Sequence, residues 1–167
     1  MANSDEKFQK KFWNALDKSP FVMLALSGND RGHSQPMTAQ FDDDFCDQLY
    51  FFTSSDNGYV KGLQAGQSDA VVSFSSKGHD LFASLHGRLS IDNDEKKIDK
   101  FWSKTTAAWF DQGREDPKIT LLRLDLGRAE IWEAGSGSFL EEMFTAVVKD
   151  NAWHAAKEHQ TETRFAG

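Results

Sequence analysis

A chain of 167 residues, 39% hydrophobic and 27% charged, has material for one globular domain around a single core and is cramped for two. Twenty-six acids against nineteen bases give a formal charge of −7, which opposes a nucleic-acid backbone and an anionic membrane surface alike. Three prolines and twelve glycines argue against a disordered spacer, no run approaches the roughly 20 apolar residues of a spanning helix, and residues 1–11 lack a signal peptide's apolar stretch, so a cytoplasmic location is expected.

Asn3 and Glu6 have capping-box spacing, and Phe8, Phe12 and Leu16 recur every fourth residue up to Pro20, which predicts an amphipathic first helix. Residues 21–27 are a short apolar run, the Gly28-Asn29-Asp30-Arg31-Gly32 cluster is a turn signal, and residues 33–41 complete an expected hairpin. Residues 42–47 read as an acidic turn, and Leu49-Tyr50-Phe51-Phe52-Thr53 as an aromatic-rich third strand. Ser54-Ser55-Asp56-Asn57 are capping types, Val60 and Leu63 have helical spacing and Gly66 is a stop signal. A helix of about three turns is therefore expected to start at the mouth of the third strand.

Residues 70–75 predict a fourth strand, and in the fifth Leu81, Ala83, Leu85, Gly87, Leu89 and Ile91 alternate strictly on one face. Asp92 and Glu95 have capping-box spacing for a helix that turns Ile98, Phe101 and Trp102 inward, and the connection at residues 105–117 carries Trp109 and Phe110. Residues 119–126 and 129–133 are expected as two strands around a Gly127-Arg128 turn. Ser138 with Glu141 caps a last helix over about residues 138–158, with Leu140, Met143 and Phe144 on its apolar stripe. Strands joined mainly by short turns, with helices as inserts and end pieces, predict an α+β fold, an antiparallel six- to seven-stranded β-barrel with flanking helices, in one domain over residues 1–167. There is no Gly-rich dinucleotide fingerprint between a strand and a helix, which disfavours a doubly wound parallel sheet.

Catalytic signatures are scarce. The chain has neither a nucleophile-elbow serine nor a phosphate-binding Gly-Lys-Ser/Thr loop, and its sole cysteine, Cys46, forms no intrachain disulfide. His33, His79, His86, His154 and His159 follow no metal-ligand spacing, so no metal is expected and no catalytic residue is assigned. Asp42-Asp43-Asp44 and Glu141-Glu142 read as solvated surface. Three features suit ligand holding instead. Ser34 to Gln40 sets Pro36 inside a strand-like run, as an edge strand with free backbone groups or an ordinary sheet edge. Thr53-Ser54-Ser55 with Asn57, Tyr59 and Lys61 offers hydroxyls, backbone N–H groups and a cation suited to a phosphate, although helix capping alone explains the serines equally well and Asp56 adds a negative charge. Trp102 fits a core position, whereas Trp109, in a connection, suits stacking on a flat ligand or a partner subunit.

In order along the chain, Pro36-Met37-Thr38, Leu49-Tyr50-Phe51-Phe52-Thr53, Ala108-Trp109-Phe110 with Gly113 and Asp116-Pro117 behind it, Leu121-Leu122-Arg123-Leu124 and Ala129-Glu130-Ile131-Trp132 form a recognisable set. Over residues 8–133 the chain resembles the general stress protein 26-like branch of the pyridoxamine 5′-phosphate oxidase-like family of FMN-binding split barrels. The resemblance implies a split barrel and a homodimer with one flavin mononucleotide, FMN, in each of two clefts between the subunits. It also implies that Gln35, Pro36, Met37 and Thr38 line the isoalloxazine ring, that Phe52, Thr53, Ser54 and Ser55 run from ring to phosphate beside Tyr59, Val60 and Lys61, and that Trp109 closes the cleft. Gln35 stands where relatives have Arg, and Tyr59 where they place a phosphate-binding lysine. The implied function is an FMN-binding general stress protein, a flavin-dependent oxidoreductase of unknown substrate, or alternatively a non-catalytic flavin-binding or sensing module. Oxidation of pyridoxamine 5′-phosphate itself is not expected, because a second phosphate ester calls for a further basic cluster.

Overall fold

Helix α1 (Ser4–Lys18) forms where the every-fourth-residue spacing predicts it and turns Phe12, Trp13 and Leu16 into the core. The computed structural model describes residues 4–27, 33–42, 47–66, 68–133 and 160–165. The expected turn at residues 28–32, Cys46 and the expected helix at residues 138–158 lie outside them.

One antiparallel sheet holds β1 (Phe21–Leu26), β2 (Gln35–Thr38), β3 (Gln48–Ser54), β4 (Asp69–Ser75), β5 (Leu81–Ile91), β6 (Ile119–Glu133) and β7 (Gln160–Arg164). The order is β2-β1-β4-β5-β6-β3, with β7 also paired to β6. A bridge between Gln40 and Tyr50 joins the segment after β2 back to β3, so the sheet closes on itself as a split barrel. Leu24, Val72, Leu85, Leu124 and Ile131 point inward at alternate positions and are fully buried. At one end, the Gln9 side-chain amide donates to Thr163 Oγ1 (2.9 Å) and the Arg164 carbonyl (3.1 Å), and Phe165 packs on the rings of Phe12 and Trp13.

The expected Gly127-Arg128 turn is not one. β6 runs through both residues as one strand, because Gly127 and Arg128 together oppose His86 as a bulge, where the β5–β6 register shifts between Leu85 and Gly87. Close approach of the two strands there requires Gly87, since a Cβ on it would lie 2.3 Å from the Asp125 carbonyl oxygen. At the same bulge β6 changes partners on its other edge: its residues up to Asp125 pair with β3, and those from Arg128 onward pair with β7. The split of the barrel therefore lies at the bulge, and β7 is a strand with no counterpart among the expected ones.

Three other elements differ from expectation. β2 is confined to Gln35–Thr38 within the expected 33–41. Helix α2 (Gly58–Gln64) is two turns rather than three, capped by the Asn57 side chain on Tyr59 N–H, and the chain leaves it through Gly66 at φ +94°. Helix α3 (Glu95–Phe101) is capped by Asp94 rather than Asp92. The reason is that Asn93 Oδ1 accepts from the Leu121 N–H (2.8 Å), which pins residue 93 to β6 and delays the helix by two positions. Asp92 instead binds Lys97 Nζ at 2.6 Å and Arg123 at 3.1 Å. A short helix, α4 (Lys104–Ala107), and a 3-10 turn (Gly113–Glu115) occupy the expected connection. None of the described helices is long and apolar enough to cross a membrane.

Candidate functional site

The hydrogen-bond phase of β2 decides what its edge offers. Ala39 N–H donates to the Pro20 carbonyl (2.7 Å) and Met37 lies opposite Val22, so Met37 and Ala39 face β1, while Pro36 and Thr38 sit at the intervening positions. Pro36 thus removes no bond to β1, and the carbonyl of Pro36 and both backbone groups of Thr38 point the other way, toward β3. On β3, Tyr50 exchanges both backbone bonds with Gln40 (2.7 and 2.8 Å), and by alternation the backbone of Phe52 faces β2. Among the described residues, pairing between the two sides stops at that bridge. Beyond it the barrel wall has an open seam, edged by backbone donors and acceptors of Thr38 and Phe52. Its far end is spanned by a hydrogen bond from the Asn57 amide to Gln35 Oε1 (3.0 Å).

The seam brings Gln35, Pro36, Thr38, Phe52 and Ser54 together from two segments. Pro36 and Thr38 are exposed, and Met37 turns inward to pack against the core. Thr53 is buried, whereas Ser55 is exposed and its N–H donates to the Lys118 carbonyl (2.9 Å). Phe52 stacks edge-on against Trp102 (centroids 5.7 Å apart), and Trp102 in turn contacts Phe110 (5.8 Å), which anchors the connection holding Trp109. Arg114 ties that connection to α3 through Asp99 (2.8 Å) and Glu95 (2.5 Å). Trp109 itself is 83% exposed.

Two of the sequence-derived site residues have a different place. Tyr59 is 0% exposed, and its hydroxyl reaches the carbonyl oxygens of Leu24 (2.6 Å) and His33 (2.7 Å), so its side chain braces β1, the start of the β2 segment and α2 from inside. Burial raises its phenol pKa above the usual 10.0. Val60 is likewise buried in the core, whereas Lys61 beside it is exposed.

Lys118 is a site neighbour that local sequence did not reveal. The pairing of Ser54 with Ile119 sets the start of β6 beside the end of β3, and Lys118 Nζ lies 2.7 Å from Asp56 Oδ2, 62 residues away in sequence. The hydrogen bond and charge of Lys118 hold the Asp56 carboxyl below its usual pKa, and the same bond raises that of Lys118. The only local signal was the Asp116-Pro117 turn that precedes it.

The outer face beside the seam is apolar. Phe21 (67% exposed) and Met23 (40% exposed) lie opposite Thr38 and Pro36 respectively. A separate open groove of about 580 Å³ lies between α3 and the 3-10 turn, lined by Glu95, Asp99, Arg114, Glu115 and Asp116 among others. No group of three or more metal-ligating side chains occurs among the described residues.

The profile of the pyridoxamine 5′-phosphate oxidase-like family matches residues 7–154. Among solved structures, the chain is similar to a general stress family protein from Xanthomonas campestris pv. campestris, at 46% identity over 82% of this chain and 93% of that one, with a TM-score of 0.74. It is similar to the general stress FMN/FAD binding protein from Xanthomonas citri at 45% identity, covering 79% and 92% of the two chains, with a TM-score of 0.73. It is also similar to a general stress protein 26 from Jannaschia sp. CCS1, at 32% identity over 97% and 100% of the two chains, with a TM-score of 0.74.

Proposed function

The chain belongs to the pyridoxamine 5′-phosphate oxidase-like family, and from that membership we propose that it binds FMN in the seam between β2 and β3 and serves as a cytoplasmic flavin-dependent oxidoreductase. The seam is the observation that carries the reading. A flat ring edged with hydrogen-bond donors and acceptors fits a slot whose own backbone donors and acceptors lack a strand partner. Ser54, Ser55, Lys61 and Lys118 cluster past the end of β3, where a phosphate needs hydroxyls and cations.

When bound, FMN supplies hydride and single-electron chemistry. The chain's part is to hold and shield it. Gln35, Pro36 and Thr38 supply one edge of the slot, and Phe52, Ser54 and Ser55 the other, while Met37 and Thr53 pack behind these edges. Tyr59 and Val60 act from the core by fixing α2, Lys61 faces the phosphate, and Trp109 covers the ring and excludes water. The reading includes a homodimer with the flavin between subunits. Phe21 and Met23 share the outer face with Pro36 and Thr38, and a second copy seated there buries them and walls the seam.

One observation favours a second reading. Gln35 to Thr38 and Phe52 to Ser54 include no titratable side chain, so this stretch offers no proton donor and suits a flavin-binding or sensing module without turnover. The visible spectrum of freshly purified protein tests the proposal: flavin bands near one equivalent per chain support it, and a colourless protein that takes up no added FMN refutes it. Anaerobic reduction of the bound flavin by a nicotinamide cofactor separates the oxidoreductase from the module.

A further inference from the structure

We propose that Lys118 and Asp56 form an opposed pair at the phosphate end of the seam, in which Lys118 binds the phosphate ester of the flavin and Asp56 competes with that phosphate for the lysine. The proposal rests on the flavin reading above and adds the residues that set affinity for the phosphorylated ligand.

The geometry carries it. Lys118 is delivered to the end of β3 by the β3–β6 register and held there through its carbonyl, which accepts from Ser55 N–H at 2.9 Å. Its backbone is thereby fixed beside Ser55, whatever contact its own side chain makes. That contact is the 2.7 Å pair with Asp56, and both side chains are more than half exposed. An exposed pair of this kind adds little to stability, so it is available for exchange with an incoming anion.

The local charge explains why the exchange governs affinity. Lys61 and Lys118 both act on Asp56, while Asp111 and Asp116 also act on Lys118. Two cations among three carboxylates leave the neighbourhood slightly negative, which opposes a dianionic phosphate. Removing Asp56 frees Lys118 and removes a repulsion, whereas removing Lys118 deletes the attraction and leaves Asp56 opposed by Lys61 alone. A ligand role therefore moves affinity in opposite directions for the two variants. A structural role for the pair moves both the same way.

The test uses the purified full chain stripped of bound flavin, titrated with FMN and with riboflavin, which carries the same ring without the phosphate, and followed by flavin fluorescence. Lys118→Ala is expected to weaken FMN binding about tenfold or more, the size of one charge-assisted contact, and to leave riboflavin binding within about twofold. Asp56→Asn is expected to strengthen FMN binding several-fold and leave riboflavin unchanged, and Lys118→Arg to keep most of the wild-type FMN affinity. Circular dichroism and thermal melts of both variants should overlay the wild type. Unchanged FMN affinity in Lys118→Ala, equal losses for FMN and riboflavin, or weaker FMN binding in Asp56→Asn overturns the proposal while the flavin reading stands. A wild-type chain that binds neither compound overturns both.

Discussion

Replacing Tyr59 by Phe removes one hydroxyl from the core and little else, which makes it a clean probe of the brace behind the seam. The hydroxyl is fully buried and lies within hydrogen-bond distance of two carbonyl oxygens, Leu24 at 2.6 Å and His33 at 2.7 Å. A net hydrogen bond contributes about 0.5–1.5 kcal/mol and a buried acceptor left unsatisfied costs about 1–3 kcal/mol, so the variant should lose about 2 kcal/mol. For a domain of this size that corresponds to a fall in Tm of about 4–8 °C. Urea unfolding measures it directly, with a lower midpoint at unchanged slope. Alkaline titration supplies a second readout with a definite sign. Burial raises the folded pKa above 10.0, so this contribution is fully present below pH 10 and is lost as pH rises through the folded value. Tyr59→Phe should therefore lack that part of the alkaline loss. A midpoint shift worth less than about 0.5 kcal/mol, or an alkaline limb identical to the wild type, would refute the brace.

Gly87→Ala should cost about 1–3 kcal/mol in urea unfolding because its Cβ meets the Asp125 carbonyl at 2.3 Å, whereas Gly127→Ala, at 3.4 Å from the His86 carbonyl, should cost less than about 1 kcal/mol. Equal costs would show that the strands do not approach closely at the bulge. Burial works to raise the Asp92 pKa, but Lys97 and Arg123 outweigh it and hold it below 3.8; its contribution is present above that pH and lost as pH falls through the folded value. Asp92→Asn should flatten this acid limb and cost about 1 kcal/mol at neutral pH, and an unaltered acid midpoint would contradict the assignment. Ser90 Oγ is buried without a hydrogen-bond partner among the described residues, so Ser90→Ala should raise stability by up to about 1 kcal/mol, and a clear loss in thermal melts would show the hydroxyl to be bonded.

Elements whose burial follows from their own periodicity were legible without a structure. Phe12 and Leu16 on α1 and Leu85 and Leu89 on β5 announce their inward faces by spacing alone, because helix and strand geometry dictate which side chains share a face. The two strands flanking the seam were legible from the turn signals beside them and the β-forming residues of the second, and Pro36 marked the edge because it has no N–H to donate. β7 was not legible: Gln160, Thr161, Glu162, Thr163 and Arg164 are polar, and what makes them a strand is the exposed edge of β6 left free beyond the bulge. The continuity of β6 was hidden in the same way, since the local turn signal of Gly127-Arg128 yields to two partners that fix the strand from both sides.

Composition, periodicity and turn chemistry by themselves determined the fold class and most of the strand order along the chain, since each depends on near neighbours in sequence. Only the tertiary structure decided that Tyr59 serves the core instead of the surface, that among the described residues the segment carrying β2 pairs with β3 only at the bridge of Gln40 with Tyr50, and that Lys118 stands beside Asp56. Those three facts are set by strand register and by contacts between residues as many as 62 positions apart, a distance over which local propensity carries no information.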